Sequence, residues 1–172
     1  MITRRRLLTG LAGLAAGVFS TRHATASESE TQESENLESE ITDSEELRFP
    51  GDPTDHNVVY QFNKAHEKYH DGVLFSVGEM VRKYNDNITI VVTAFGAGIH
   101  ILAKQPERAV SKKNMLSVKS LASYGVKFHA CGNTLKTLGW DKDDLYDFVE
   151  IIPVGAADLL ELQEQGYAYI SL

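Results

Sequence analysis

The sequence of 172 residues has few of the groups that cross-link a chain or hold it in a bilayer. Its single cysteine, Cys131, excludes an internal disulfide, so the thiol is free, capped or paired with another chain. The apolar run at residues 7–19 is too short for a membrane span, which needs roughly 20 residues. The informative features of the sequence are therefore the single cysteine and the uneven distribution of charge.

The start of the chain carries positive charge alone. Residues 1–26 hold four of the 17 Lys and Arg residues and no acidic residue. The order TRRRLL, apolar run and ATA matches the three regions of a twin-arginine signal peptide. We therefore expect residues 1–26 to be cleaved and the protein to be periplasmic or otherwise exported, with no stable membrane insertion. The alternative is an uncleaved anchor helix.

Negative charge is concentrated in the next segment. Residues 27–47 carry nine of the 24 acidic residues and no Lys or Arg. With three large apolar side chains, this segment buries too little surface to offset its ordering entropy. We predict that residues 27–55 are an acidic, disordered linker and that residues 56–172 are the folded domain. Residues 48–172 hold 13 basic and 15 acidic residues, a balance that argues against a nucleic-acid partner.

Strand and helix patterns alternate along the remaining chain. The strand patterns lie at residues 57–62, 88–95, 126–130, 149–154 and 167–170. The helical patterns lie at residues 65–84, 99–103, 115–122, 134–138, 141–148 and 156–165. This alternation predicts a three-layer α/β domain with a mostly parallel five-stranded sheet and helices on both faces.

Ligands of such sheets gather at the carboxyl ends of the strands. The residues that follow the predicted strands are therefore candidates for ligand binding: Gly96, Gly98, His100, Gly132, Asn133 and Gly155. The two glycines at 96 and 98 are not a dinucleotide fingerprint, because Ile101 occupies the position of its third glycine. We expect no organic cofactor.

Cys131 lies where a predicted strand gives way to a helix. Backbone N–H groups at a helix start stabilise a thiolate, which is the nucleophilic form of cysteine. His129 lies two residues earlier, so both side chains share one face if the strand extends to Cys131. We predict Cys131 as the functional thiol and His129 as its acid/base partner or a neighbouring cation. The alternatives are a buried inert thiol and a structural histidine.

Residues 66–70, HEKYH, match the H-E-x-x-H pattern of helical zinc sites. Tyr69 and Val73 mark the buried stripe of this helix, so we expect His66 and His70 to lie beside it. Two ligands alone make an incomplete metal site. We therefore predict no metal centre. The alternatives are a zinc hydrolase and adventitious metal binding by His66 and His70.

Three stretches together resemble the DsrE/DsrF-like family of small sulfur-relay proteins, in an uncharacterised exported branch. They are GVKFHACGNTL at 125–135, VEIIPVG at 149–155 and LQEQGYAYI at 162–170. The resemblance implies an α/β fold that assembles into homo-oligomers, trimers or hexamers. It also implies that Cys131 occupies the position at which relay members carry persulfide sulfur.

The sequence thus leads to two functional hypotheses. The first is a thiol-based sulfur carrier or sulfur-trafficking protein that uses Cys131, a carrier more than a turnover enzyme. The second is a non-catalytic small-ligand-binding or assembly module in which Cys131 is structural. The reactivity of the Cys131 thiol distinguishes between them.

Overall fold

The computed structural model describes residues 52–172. The strands are β1 His56–Phe62, β2 Ile88–Ala94, β3 Lys127–Cys131, β4 Val149–Ile152 and β5 Ala168–Ile170. The α-helices are α1 Glu67–Tyr84, α2 Lys112–Ser123, α3 Gly132–Leu138 and α4 Gly155–Glu164. Two 3-10 helices cover Gly96–Leu102 and Lys142–Asp144.

The five strands form one parallel sheet in the order β4-β3-β2-β1-β5. The chain moves stepwise from β1 to β4, so right-handed crossovers place α1, α2 and α3 on one face. It then returns across the whole sheet to β5, which places α4 on the opposite face. The predicted five-stranded α/β architecture with helices on both faces is confirmed.

Side chains alternate across the strands and divide the core into two unequal parts. The larger part packs β1, β2 and β3 against α1 and α2, and its fully buried large side chains include Tyr60, Phe62, Ile90 and Phe128. Burial of each such side chain stabilises the fold by about 1.5–3 kcal/mol. The smaller part lies under α4 and contains Val59, Val91, Leu159 and Leu162.

The predicted signal peptide and the predicted linker up to residue 51 lie outside the described residues. The last part of that linker, 52–55, is described and contacts the start of β2 and the loop before it. The Thr54 hydroxyl lies 2.7 Å from the Thr89 hydroxyl, and the Asp55 N–H donates to Asn87 Oδ1 at 2.9 Å. These bonds attach the entry of the domain to the amino-terminal edge of the sheet.

The helix predicted at residues 141–148 is wrong. Only the 3-10 turn Lys142–Asp144 forms there. The Asp141 carboxylate accepts the Asp143 N–H at 2.8 Å, and the Asp144 carboxylate accepts the Asp141 N–H at 2.9 Å. Short acidic side chains compete in this way with helical backbone bonds, and the turn closes on itself. The chain then becomes extended, which buries Leu145 and Tyr146.

The parallel sheet places three strand-to-helix turns side by side at the carboxyl ends of its strands. β2 is followed by the turn at Gly96, β3 passes directly into α3 at Gly132, and β4 is followed by α4 at Gly155. Cys131 is both the last residue of β3 and the N-cap residue of α3. Within residues 52–172, no helix combines the length and the apolar composition required to cross a bilayer.

Candidate functional site

The Cys131 sulfur lies against the first residue of α4. The Gly155 N–H donates a hydrogen bond to Cys131 Sγ at 3.2 Å. First-turn N–H groups have no partner within their own helix, so this donor is free to bond the sulfur. A Cβ on residue 155 would lie 3.2 Å from Cys131 Cβ and 3.1 Å from two Phe95 atoms. Glycine therefore permits the close approach of backbone and thiol.

The surroundings of the sulfur favour its anionic form. Burial acts to raise the pKa of the Cys131 thiol, but hydrogen bonds from Gly155, Thr134 and Asn133 outweigh it and hold the pKa below its ordinary value. The Asn133 N–H also donates to the Pro153 carbonyl at 3.2 Å and is shared between two acceptors. We therefore infer that the Gly155 N–H contributes most to stabilising the thiolate. Only 6% of Cys131 is exposed, so the thiolate is sheltered from bulk solvent.

Thr134 connects the cysteine turn to the end of β2. Its hydroxyl accepts the Gly96 N–H at 3.1 Å, and Gly96 has a φ of +52° that glycine adopts without strain. A Cβ on Gly132 would lie 3.2 Å from the Ile152 carbonyl oxygen. The structure thus brings together five of the predicted site residues at one edge of the sheet: Gly96, Cys131, Gly132, Asn133 and Gly155.

The His129 ring bonds to a carboxylate. β3 remains extended to Cys131, so His129 and Cys131 project from the same face, as the sequence indicates. The ring nitrogen Nδ1 lies 3.0 Å from both carboxylate oxygens of Asp158, and Nε2 lies 3.7 Å from Glu150. These partners hold the ring, so the contacts of His129 do not point to a base acting directly on the sulfur.

Sequence reasoning missed Asp158. Its carboxylate accepts the Thr93 hydroxyl at 2.5 Å in addition to its bonds with His129. Burial acts to raise the pKa of Asp158, but hydrogen bonds from His129 and Thr93 hold it below the ordinary value. A signal was present in the sequence, because Thr93 interrupts an apolar central strand and buried hydroxyls need partners.

Gly98 and His100 belong to a different environment. Gly98 is pressed against β1, where an added Cβ would lie 2.3 Å from the Phe62 carbonyl oxygen. The His100 ring is 3% exposed and meets Trp140 edge-on, with 4.9 Å between the ring centroids. Burial lowers the pKa of His100. The structure gives both residues packing contacts in the larger core, and their predicted role in ligand binding stays a prediction.

The two histidines of the H-E-x-x-H match serve different purposes. His66 is the N-cap of α1, and its Nδ1 accepts the Tyr69 N–H at 3.3 Å. His70 is 1% exposed, with Nε2 2.9 Å from the Lys64 carbonyl oxygen, so the expectation that it lies beside the buried stripe is wrong. The physical reason is that Phe62 and Tyr69 surround the ring. Across residues 52–172, no three metal-ligating side chains form a cluster.

Comparison with known proteins assigns the chain to a family. The model of the DsrE/DsrF-like family matches residues 50–172, which include the entire sheet and the Cys131 turn. The chain belongs to the DsrE/DsrF-like family. Membership confirms the resemblance carried by the three sequence stretches, and the family is associated with sulfur relay in general.

The solved structure of MTH1491 supports the fold of this DsrE/DsrF-like protein. It is similar to MTH1491 from Methanobacterium thermoautotrophicum, a protein of unknown function, with 28% identity and a TM-score of 0.62. That match covers 69% of this chain and 100% of MTH1491. It is also similar to BT1422 from Bacteroides thetaiotaomicron, with 12% identity, a TM-score of 0.48, and 67% and 94% of the two chains covered. No curated protein matches this chain.

Proposed function

We propose that this DsrE/DsrF-like protein is a sulfur carrier in which the Cys131 thiolate takes up and passes on sulfane sulfur. The observation that carries the proposal is the Gly155 N–H bonded to Cys131 Sγ at 3.2 Å. A thiolate held by backbone donors is the form of cysteine that attacks sulfur. The general association of the family with sulfur relay supports the same assignment.

The transfer needs no redox cofactor. The Cys131 thiolate attacks a sulfane sulfur of an inorganic polysulfide, one S–S bond forms, and one S–S bond of the polysulfide breaks. The products are the Cys131 persulfide anion and a polysulfide anion shortened by one sulfur, so atoms and charge balance. Attack by an acceptor thiolate on the outer sulfur then releases Cys131 as a thiolate. The Gly155 N–H stabilises that leaving group as well as the nucleophile.

The second candidate is a small-ligand-binding or assembly module with a structural cysteine. Its supporting observation is burial, because Cys131 is 6% exposed and free cysteine is a common core residue. A core thiol in an apolar pocket has a raised pKa, whereas hydrogen bonds lower the pKa of Cys131. The sulfur carrier is therefore the proposal that the geometry supports better.

Polysulfide treatment of the folded protein is the direct test. Intact-mass spectrometry is expected to show a gain of about one sulfur atom that a reductant reverses, since persulfides are reversible thiol modifications. The matched control is Cys131→Ser, which keeps an acceptor for the Gly155 N–H and removes the thiol, and it should gain no mass. A folded, reduced wild-type protein that takes up no sulfur would favour the binding module.

We also propose that the protein is a homo-oligomer, trimer or hexamer. Within residues 52–172, β4 is an outer strand with one unpaired edge, and Phe148, Ile151 and Val154 around it are each 39–40% exposed. Exposed apolar side chains on a strand edge are typical of an interface.

Light scattering of the wild-type protein is expected to give a mass of three or six chains, and Ile151→Lys should reduce it because a charge is costly in an apolar interface. Leu172→Lys is the control, since Leu172 is 50% exposed and follows β5, at the opposite edge of the sheet from β4, and its replacement should leave the mass unchanged. A wild-type protein that is strictly monomeric would contradict the proposal.

A further inference from the structure

One carboxylate attaches the first turn of α4 to two strands of the sheet. Asp158 accepts the Thr93 hydroxyl of β2 at 2.5 Å and lies 3.0 Å from the His129 ring of β3. The side chains of His129 and Asp158 are 10% and 11% exposed, so water competes little for these bonds. Such buried, charge-assisted bonds fix geometry more firmly than surface pairs do.

The same turn provides the donor to the sulfur. Gly155 and Asp158 are three residues apart on α4, so they lie on one face of the helix. The N-cap residue, Val154, makes no side-chain capping bond, and only Leu159 and Leu162 of this helix are buried large side chains. The Asp158 bonds are therefore the main polar restraint on the direction of the Gly155 N–H.

We propose that Asp158 is a positioning residue for the Cys131 thiolate: by binding Thr93 and His129 it keeps the Gly155 N–H directed at the sulfur. The inference deepens the proposed function and rests on it, because it concerns the same thiolate. Asp158 acts through Gly155, and His129 serves as an anchor for the carboxylate. Glu150, the other charged group near the His129 ring, is 70% exposed, and solvent screens its contribution.

The charge of Asp158 and its positioning role have opposite effects on the thiol. If Asp158 acted only as a nearby negative charge, its removal would lower the pKa of Cys131, since like charge disfavours the thiolate. If Asp158 holds Gly155 in place, its removal weakens the N–H bond to the thiolate and raises the pKa of Cys131. The direction of the change thus separates the two roles.

The test is the rate of Cys131 alkylation by iodoacetamide as a function of pH. Asp158→Ala is expected to move the midpoint to higher pH and to slow the reaction at pH 7 roughly tenfold, the change that one pKa unit produces. Asp158→Asn should largely restore the wild-type profile, because an amide can accept from His129 and donate to Thr93. Glu161→Ala removes an exposed charge from the same helix and should leave the midpoint and the rate of Cys131 alkylation unchanged.

A midpoint that is unchanged or lower in folded Asp158→Ala overturns the inference. Thr93→Val removes a single bond to the carboxylate and preserves the shape of the side chain, so it decides the matter if Asp158→Ala does not fold. We expect a smaller shift of the alkylation midpoint in the same direction for Thr93→Val. An unchanged midpoint in this variant would overturn the inference.

The failure of the carrier function is measured separately. Polysulfide treatment followed by intact-mass spectrometry reports persulfide formation, whereas alkylation reports only the thiolate. A shifted midpoint without persulfide on the wild-type protein supports the positioning role and overturns the carrier. A persulfide on the wild-type protein with unshifted midpoints in both variants supports the carrier and overturns the positioning role.

Discussion

Replacement of Gly98 by alanine is expected to lower the free energy of unfolding by about 3 kcal/mol, the upper part of the usual range for overpacking. The new Cβ would lie 2.3 Å from the Phe62 carbonyl oxygen, 2.6 Å from its carbonyl carbon and 2.8 Å from Asn63 Cα. All three atoms are backbone, so no side chain can rotate away. Either β1 or the 3-10 helix Gly96–Leu102 must move.

The start of the 3-10 helix also takes part in backbone hydrogen bonds at the carboxyl ends of β1 and β2. The Phe95 N–H donates to the same Phe62 carbonyl oxygen at 3.1 Å, and the Gly98 N–H donates to the Phe95 carbonyl at 3.1 Å. A shift of the 3-10 helix weakens both bonds, and buried backbone groups without partners are costly. The loss of these bonds adds to the steric cost.

Urea unfolding measures the effect, with Gly72→Ala as the matched control. Gly72 lies within α1 and has no atom within 4 Å of an added Cβ. The control should therefore gain about 0.8–1 kcal/mol from the better helix propensity of alanine. Equal free energies of unfolding for the two variants would show that the close contact at Gly98 relaxes at little cost.

The architecture and the cysteine turn could be predicted because local patterns determine them. The run from Ile88 to Ala94 is apolar and β-branched, as a strand buried on both faces requires. Alternation of strands with helices then implies a parallel sheet, and a parallel sheet places the carboxyl ends of its strands on one edge. Proximity of Cys131 to Gly155 follows from that rule alone.

The anchor of α4 could not be predicted in the same way. An acidic residue in the first turn of a helix is commonly explained by the helix dipole, so Asp158 has no distinctive local pattern. Its partners Thr93 and His129 are 65 and 29 residues away in sequence. Only the register of β2 with β3, and the position of α4 across them, bring the three side chains together.

Gly98 and His100 have packing contacts that their position in the sequence does not reveal. They follow a strand as closely as ligand-binding residues do, and that adjacency alone indicated the rim of a site. The chain instead winds into a 3-10 helix, five residues of which are buried. A histidine close to glycines can therefore be a packed part of the core, and its sequence position does not distinguish a packing residue from a ligand-binding one.

Replacement of Gly155 by alanine is expected to separate the reactivity of the thiol from the stability of the fold. Alanine in a helix interior is favoured over glycine by about 0.8–1 kcal/mol, and Gly155, as the first residue of α4, gains at most that much. Crowding against Phe95 and Cys131 at 3.1–3.2 Å offsets the gain. We expect the free energy of unfolding at pH 7 to change by less than about 1 kcal/mol. The sulfur, however, must move away from the Gly155 N–H.

The sign of the pH effect follows from the lowered pKa of Cys131. In the wild-type protein the folded thiol ionises more readily than the unfolded one, so the thiolate stabilises the fold at high pH. That contribution is lost as the pH falls through the folded-state pKa. Because Gly155→Ala weakens the bond to the thiolate, its deficit in stability relative to the wild-type protein should be larger at high pH than at low pH.

Alkylation at pH 7 should slow by roughly tenfold in Gly155→Ala, as one unit in the pKa of the thiol implies. Gly78→Ala is the control, since its added Cβ meets only the end of the Arg82 side chain at 3.8 Å. That control should gain stability and leave the alkylation rate unchanged. An unchanged rate in folded Gly155→Ala would mean that the other donors around the sulfur, Thr134 and Asn133, suffice to hold the thiolate. The role of α4, and with it that of Asp158, would then be structural.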